Sequence, residues 1–171
     1  MNVILVGEIG SGKSTVVRAA LERLGWSAPG GFSTHWAGQG RGAQTLHLET
    51  WGGEDCPVAH RVAAPVAPGG LCYALDGPLF TGAALASLLP AAEGRPVVID
   101  ELGLIELGAT EFTAAVARLF RGSVPVLAVV QRRALDRWLA ILGRENVGHL
   151  LEVEPATRAA LPAQIAAIFR A

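Results

Sequence analysis

Eight residues near the start, Gly7-Glu8-Ile9-Gly10-Ser11-Gly12-Lys13-Ser14, restrict what this chain can fold into more than any other segment. They fit the pattern G-x-x-x-x-G-K-[ST]. Residues 2–6 before them are a short apolar run that reads as a buried strand. Residues 14–24 after them carry Val17, Ala20, Leu21 and Leu24 at helical spacing and stop at Gly25. Strand, glycine-rich turn and helix, in that order, present backbone N–H groups and a helix N-terminus to an anion. With 21 glycines and one lysine in 171 residues, roughly 0.001 matches are expected by chance, so the pattern carries meaning.

The physics assigns each position. Gly7, Gly10 and Gly12 allow the backbone to wrap a phosphate closely, and Glu8, Ile9 and Ser11 complete the loop. Lys13 is expected to bridge the β- and γ-phosphates, Ser14 to offer its hydroxyl to Mg²⁺, and Thr15 to reach the α-phosphate. Arginine fills the other 13 basic positions. A lone lysine here marks a place where the bulkier guanidinium does not serve. Glu8 is unusual, because an acid inside the loop opposes the γ-phosphate unless it turns away. It either orients water or stands in solvent, and the second is the simpler reading.

A second motif follows the expected order. Val97-Val98-Ile99-Asp100-Glu101 is an apolar strand ending in two acids. Asp100 is placed to support Mg²⁺, and Glu101 to polarise an attacking water. A third apolar strand, 125–130, ends at Gln131-Arg132-Arg133. Gln131 suits a sensor of the γ-phosphate. Arg132 or Arg133 suits a cation acting on transition-state charge, since neither helps the helix start that follows.

Elsewhere, 44–50 alternates as a half-exposed strand and 57–62 is its expected hairpin partner. Helices are expected over 79–89 with Pro78 in the first turn, over 111–120 capped by Thr110, over 134–142, and over 157–170, interrupted or restarted at Pro162. A short strand is expected over 150–153. Apolar strands alternating with helices predict a three-layer α/β/α domain with a mostly parallel sheet, one domain over 1–171.

Net charge is −1, without the basic footprint of a nucleic-acid binder. Apolar runs are too short to span a membrane, and no targeting segment precedes the first strand, so a cytoplasmic location is expected. Two cysteines make no disulfide framework. His35, His47, Cys56, His60 and Cys72 invite a metal reading, but no second pair at zinc-like spacing accompanies Cys56-x-x-x-His60, so none is assigned. The four tryptophans read as packing residues, with Trp138 on a helix where a base could stack.

Several of these segments together resemble the cancer-related nucleoside-triphosphatase family of P-loop enzymes. They are the N-terminal phosphate loop, Gly30-Gly31-Phe32-Ser33-Thr34, the run from Val98 through Glu106 to Leu107, the strand ending at Arg133, and Glu152-Val153-Glu154-Pro155 with Arg158 and Leu161-Pro162. The resemblance implies a RecA-like sheet. It also implies slow Mg²⁺-dependent hydrolysis of nucleoside triphosphates with broad base tolerance. Gln131 stands where the family usually has histidine, and 72–76 lacks an expected basic residue.

The expected activity is therefore hydrolysis, with Lys13, Glu101, Gln131 and Arg132 as the catalytic candidates. Two other readings use the same loop. A nucleotide or small-molecule kinase would need an acceptor pocket and an arginine-bearing lid around Arg41 and Arg61. A nucleotide-dependent switch or adaptor would turn over only incidentally. The sequence names no partner protein or oligomeric state.

Overall fold

The computed structural model describes residues 1–38, 45–62 and 72–171. Arg41 lies outside these residues, as do the side chains of His60, Arg61 and Cys72. The elements run β1 (Asn2–Gly7), α1 (Lys13–Leu24), β2 (Gly30–Ala37), β3 (Thr45–Thr50), β4 (Asp55–Val62), β5 (Cys72–Leu75) and α2 (Gly77–Leu88). There follow β6 (Val97–Leu102), α3 (Thr110–Arg121), β7 (Val126–Gln131), α4 (Leu135–Leu142), β8 (His149–Glu152) and α5 (Leu161–Arg170).

One sheet takes the order β5-β4-β3-β2-β6-β7-β1-β8. The five strands from β2 to β8 are parallel, and β3, β4 and β5 extend it as antiparallel hairpins. The parallel strands are apolar on both faces because helices cover both. Ile99, Val126, Ala128 and Val130 pack beneath α2, α3 and α4 with Phe80, Phe112 and Trp138. Their neighbours Val98, Leu127 and Val129 pack on the other face with Val17 and Leu21 of α1 and Ile165 of α5. The expected three-layer arrangement is thus present, with the two-residue period of the strands dividing the core in two.

One glycine sets the close approach of β2 to β6. Gly31 has φ +93°, and a Cβ there would lie 2.1 Å from the Val98 carbonyl oxygen. Phe32 beside it points the opposite way and meets Phe80 and Phe112.

One local expectation is corrected, one is resolved, and two features enter from the structure. Thr110 is the first residue of α3 rather than its cap, and Ala109 holds the cap position without a side-chain bond. Asp76 caps α2 instead, accepting from the Leu79 N–H at 3.1 Å. Pro162 marks a start rather than an interruption, since residues 155–160 form turns and α5 begins at Leu161. It sits in the first turn of α5, where its missing N–H costs nothing. Cys72–Leu75 forms an edge strand that the glycine- and proline-rich composition around it obscured. No helix among the described residues is long and apolar enough to cross a membrane.

Candidate functional site

The site lies where β1, β6 and β7 end. Their parallel register brings Gly7 opposite Gln131, and Asp100 opposite Val129. The chain positions at which these strands run out of apolar residues therefore meet at one edge.

The loop between β1 and α1 is shaped by Gly10 at φ +78° and Gly12 at φ +95°. Gly7 must lack a side chain for a different reason. A Cβ there would fall 2.7 Å from Ser11 Oγ and 2.8 Å from the Val153 carbonyl oxygen. No side chain caps α1, and its first turn holds no acid, so its leading N–H groups stay available to an anion. Ser11 Oγ is buried and makes no hydrogen bond among the described residues.

Lys13 is buried. Its Nζ donates to the carbonyls of Gly7, at 3.1 Å, and Glu8, at 2.8 Å, and lies 3.6 Å from Glu101 Oε2. The ammonium is thus folded onto its own loop and held next to the carboxylate expected to handle water. Glu8 turns outward, 76% exposed, and pairs with Arg132 at 3.0 Å. Arg132 also pairs with Glu152 of β8.

Asp100 and Glu101 diverge because the β6–β7 register slips between Asp100 and Leu102, leaving Glu101 unpaired. Asp100 is buried, and that burial raises its carboxyl pKa to about 6, with a hydrogen bond to the Ser14 side chain acting in the opposite direction. A buried carboxylate beside a hydroxyl, with its charge poorly compensated, is an oxygen donor set that fits Mg²⁺. Glu101 instead accepts a hydrogen bond from Gln131 Nε2. Gln131 Oε1 in turn accepts from Arg133 Nε at 3.2 Å.

Ser14, Asp100, Glu101, Gln131 and Arg133 line one cavity of about 280 Å³, closed on its outer side by Thr34, Trp36, Leu104 and Ile105. Arg132 lies in a smaller adjoining hollow with Lys13, Gly7 and Glu8. Arg133 lines this hollow as well as the larger cavity, whereas Arg132 lines the hollow alone.

Glu106 is a member of this site that motif reading did not single out for chemistry. It is buried, and desolvation pushes its pKa up to about 7. It accepts from the Gly103 N–H at 2.8 Å, while the Gly103 carbonyl accepts from Trp138 Nε1 at 2.9 Å. A Cβ on Gly103 would meet the Gln131 side chain at 2.7 Å. Glu106 and Trp138 thus fix the turn against which Gln131 rests. Trp138 is fully buried, so it offers no base-stacking surface. The only sequence hint was the acid six residues past Asp100.

The family model described as NTPase matches residues 2–166. The protein named nucleoside-triphosphatase THEP1 from Natranaerobius thermophilus is 26% identical over 170 residues, covering 96% of this chain and 94% of that one. The crystal structure of THEP1 from the hyperthermophile Aquifex aeolicus superimposes with a TM-score of 0.78 at 25% identity, over 100% of both chains. The solution structure of a human cancer-related nucleoside triphosphatase gives a TM-score of 0.76 at 26% identity, over 99% of this chain and 97% of that one.

Proposed function

This chain belongs to the NTPase family, and we propose that its single domain hydrolyses nucleoside 5′-triphosphates to diphosphate and phosphate with Mg²⁺ and little choice of base. The observation that carries this reading is the approach of Lys13 Nζ to Glu101 at 3.6 Å, at the base of the phosphate loop. A phosphate-binding cation and a carboxylate able to accept a proton from water converge on one point.

In this reading the loop N–H groups of residues 8–14 and the N-terminus of α1 hold the phosphates. Lys13 exchanges its bonds to the Gly7 and Glu8 carbonyls for phosphate oxygens. Glu101, oriented by Gln131, takes a proton from water as the water oxygen bonds to the γ-phosphorus. The bond from that phosphorus to the β–γ bridging oxygen breaks, and the diphosphate leaves with the electron pair. Ser14 and Asp100 are the groups that would hold Mg²⁺, which supplies charge neutralisation at the phosphates when bound. Arg133 lines the same cavity and can meet charge that develops on the γ-phosphoryl oxygens.

Base tolerance is supported by a cleft of about 500 Å³ on the other side of the loop, beside Gly12 and Thr15. Its walls include Val16, Ala19, Arg158 and Pro162, without an amide or carboxylate side chain to read a base edge. Arg158 approaches Gly12 to within 3.7 Å of where a Cβ would stand.

The test is phosphate release from ATP, GTP, CTP and UTP with Mg²⁺ and no acceptor, for wild type and Glu101→Gln. Turnover of all four is expected in wild type. Loss of the base should slow release by about 100-fold or more with nucleotide still bound. Binding without release in wild type would defeat the hydrolase reading and direct attention to a phosphoryl acceptor.

A further inference from the structure

The exposed face of the antiparallel extension gathers side chains that the phosphate site does not use. His35 and His47 are direct partners across the β2–β3 ladder. Their rings stack with centroids 5.4 Å apart. Asp55 opens β4 opposite Glu49, two residues along β3 from His47 and therefore on the same face. Asp55 Oδ2 lies 2.8 Å from His47 Nδ1, and Glu49 Oε2 lies 3.9 Å from His35 Nδ1. One donor atom from each of His35, His47 and Asp55 lies within 4.8 Å of the other two.

Burial does not account for this cluster. Among the described residues, none of β2, β3 or β4 joins the core beneath α1 and α5. His35 and Asp55 side chains are each 47% exposed, and His47 is 20% exposed. What the cluster does offer is a donor set. Two imidazoles and a carboxylate suit Zn²⁺ and its first-row neighbours, whereas Mg²⁺ prefers oxygen alone. Tetrahedral bonds of about 2.0–2.1 Å place ligand atoms about 3.4 Å apart. The observed separations close to that value by side-chain rotation, because the ladders already pair His35 with His47 and Glu49 with Asp55.

We propose that His35, His47 and Asp55 form a binding site for a transition-metal dication of the Zn²⁺ type, with Glu49 in reach of a fourth position. Two carboxylates beside two neutral imidazoles carry a charge of −2, which the dication offsets. The site is separate from the Ser14–Asp100 oxygen pair. Ser33 pairs with Asp100 on one side and Glu49 on the other, so the cluster sits on the face of Asp100 but further out along the sheet. The metal would clamp β2, β3 and β4 together. The alternate residues of β2, Thr34 and Trp36, line the cavity of the phosphate site. A single-sequence spacing rule misses the cluster because its three members come from three strands, paired by the hairpin register rather than by a short motif.

Calorimetric titration of chelator-stripped protein with Zn²⁺, in excess Mg²⁺, tests this. One Zn²⁺ per chain is expected. His47→Gln and Asp55→Asn should each weaken binding by more than the roughly 10–100-fold that loss of an outer partner costs. Cys56→Ser should leave it unchanged, because Cys56 packs against the core on the opposite face. Zn²⁺ should also raise the melting temperature of wild type and not of the ligand variants. Melts in chelator check that the variants fold, and the more exposed His35→Gln carries the test if either does not. Absence of zinc binding, binding that His47→Gln and Asp55→Asn leave intact, or binding lost in Cys56→Ser would overturn the proposal.

Discussion

Glu106→Gln should stabilise the nucleotide-free protein at alkaline pH. The Glu106 carboxyl is buried, accepts the Gly103 N–H, and has its pKa pushed from 4.5 to about 7 by desolvation, with repulsion from Glu101 adding to it. Its folded value lies above its unfolded one, so the folded state binds the proton more tightly. The contribution to stability is complete below pH 4.5 and is lost as pH rises through about 7. At about 1.4 kcal/mol per pH unit, the interval from 4.5 to about 7 corresponds to ~3 kcal/mol. Glutamine keeps an oxygen for the Gly103 N–H and never ionises. The variant should match wild type near pH 4.5 and exceed it by ~3 kcal/mol near pH 8.5, or about 6–12 °C in melting temperature for a chain of this size. Urea unfolding and thermal melts at several pH values, without nucleotide, read this directly. Asp100 titrates over part of the same range, but it is common to both proteins and cancels in the difference. A variant whose pH slope equals that of wild type, or one less stable near pH 8.5, would refute the reasoning that buried charge at Glu106 opposes folding.

Three further outcomes follow from the geometry. Gly31→Ala combines a φ of +93° with a Cβ 2.1 Å from the Val98 carbonyl oxygen. It should therefore cost on the order of 4 kcal/mol or more, seen in urea unfolding. Asp100→Asn should raise the Mg²⁺ concentration needed for half-maximal phosphate release by at least about tenfold, and an unchanged Mg²⁺ dependence would remove Asp100 from the metal's support. Gln131→His should change the pH profile of phosphate release relative to wild type around pH 6.5, because an imidazolium next to Glu101 would weaken the base, beyond the Asp100 and Glu106 titrations that both proteins share. Superimposable pH profiles for the two proteins would show that position 131 is not coupled to the chemistry.

The parallel half of the fold was legible in the sequence because its strands are buried on both faces. Val97–Ile99 and Val126–Val130 are short apolar runs between helical patterns, and nothing else accounts for such runs. The phosphate loop was legible because glycine, lysine and serine are each required by the geometry of one ligand. Less accessible were features that depend on contacts between distant segments. The reason for Gly103 is the Gln131 side chain 28 residues away. Trp138 read as a packing residue, and its indole partner, the Gly103 carbonyl, lies 35 residues back in the chain, out of reach of local pattern. The pairing of His35 with His47 depends on hairpin register, which alternation suggests but does not align. Thr110 looked like a helix cap because threonine suits that role, whereas Asp76 took it at α2 by accepting from Leu79 N–H.

The acid in the phosphate loop and the two arginines after β7 looked like separate oddities, and the structure joins them. Arg132 draws Glu8 outward at 3.0 Å and is itself held by Glu152. A carboxylate that opposes the γ-phosphate when turned inward is thereby kept pointing to solvent. Exposed ion pairs of this kind contribute under about 1 kcal/mol each, so they do not lock Arg132 in place. Position, rather than pairing strength, must therefore distinguish the arginines. Arg132 lies beside Lys13 and Glu8 in the hollow of the loop. Arg133 faces the cavity that holds Ser14, Asp100 and Glu101, and it bonds the amide that orients Glu101. The ion pairs to Glu8 and Glu152 belong to the first arginine. We propose that the second, which lines both the hollow and the cavity, also meets charge that grows on the transferring phosphoryl group, with Arg132 beside Lys13 as the alternative.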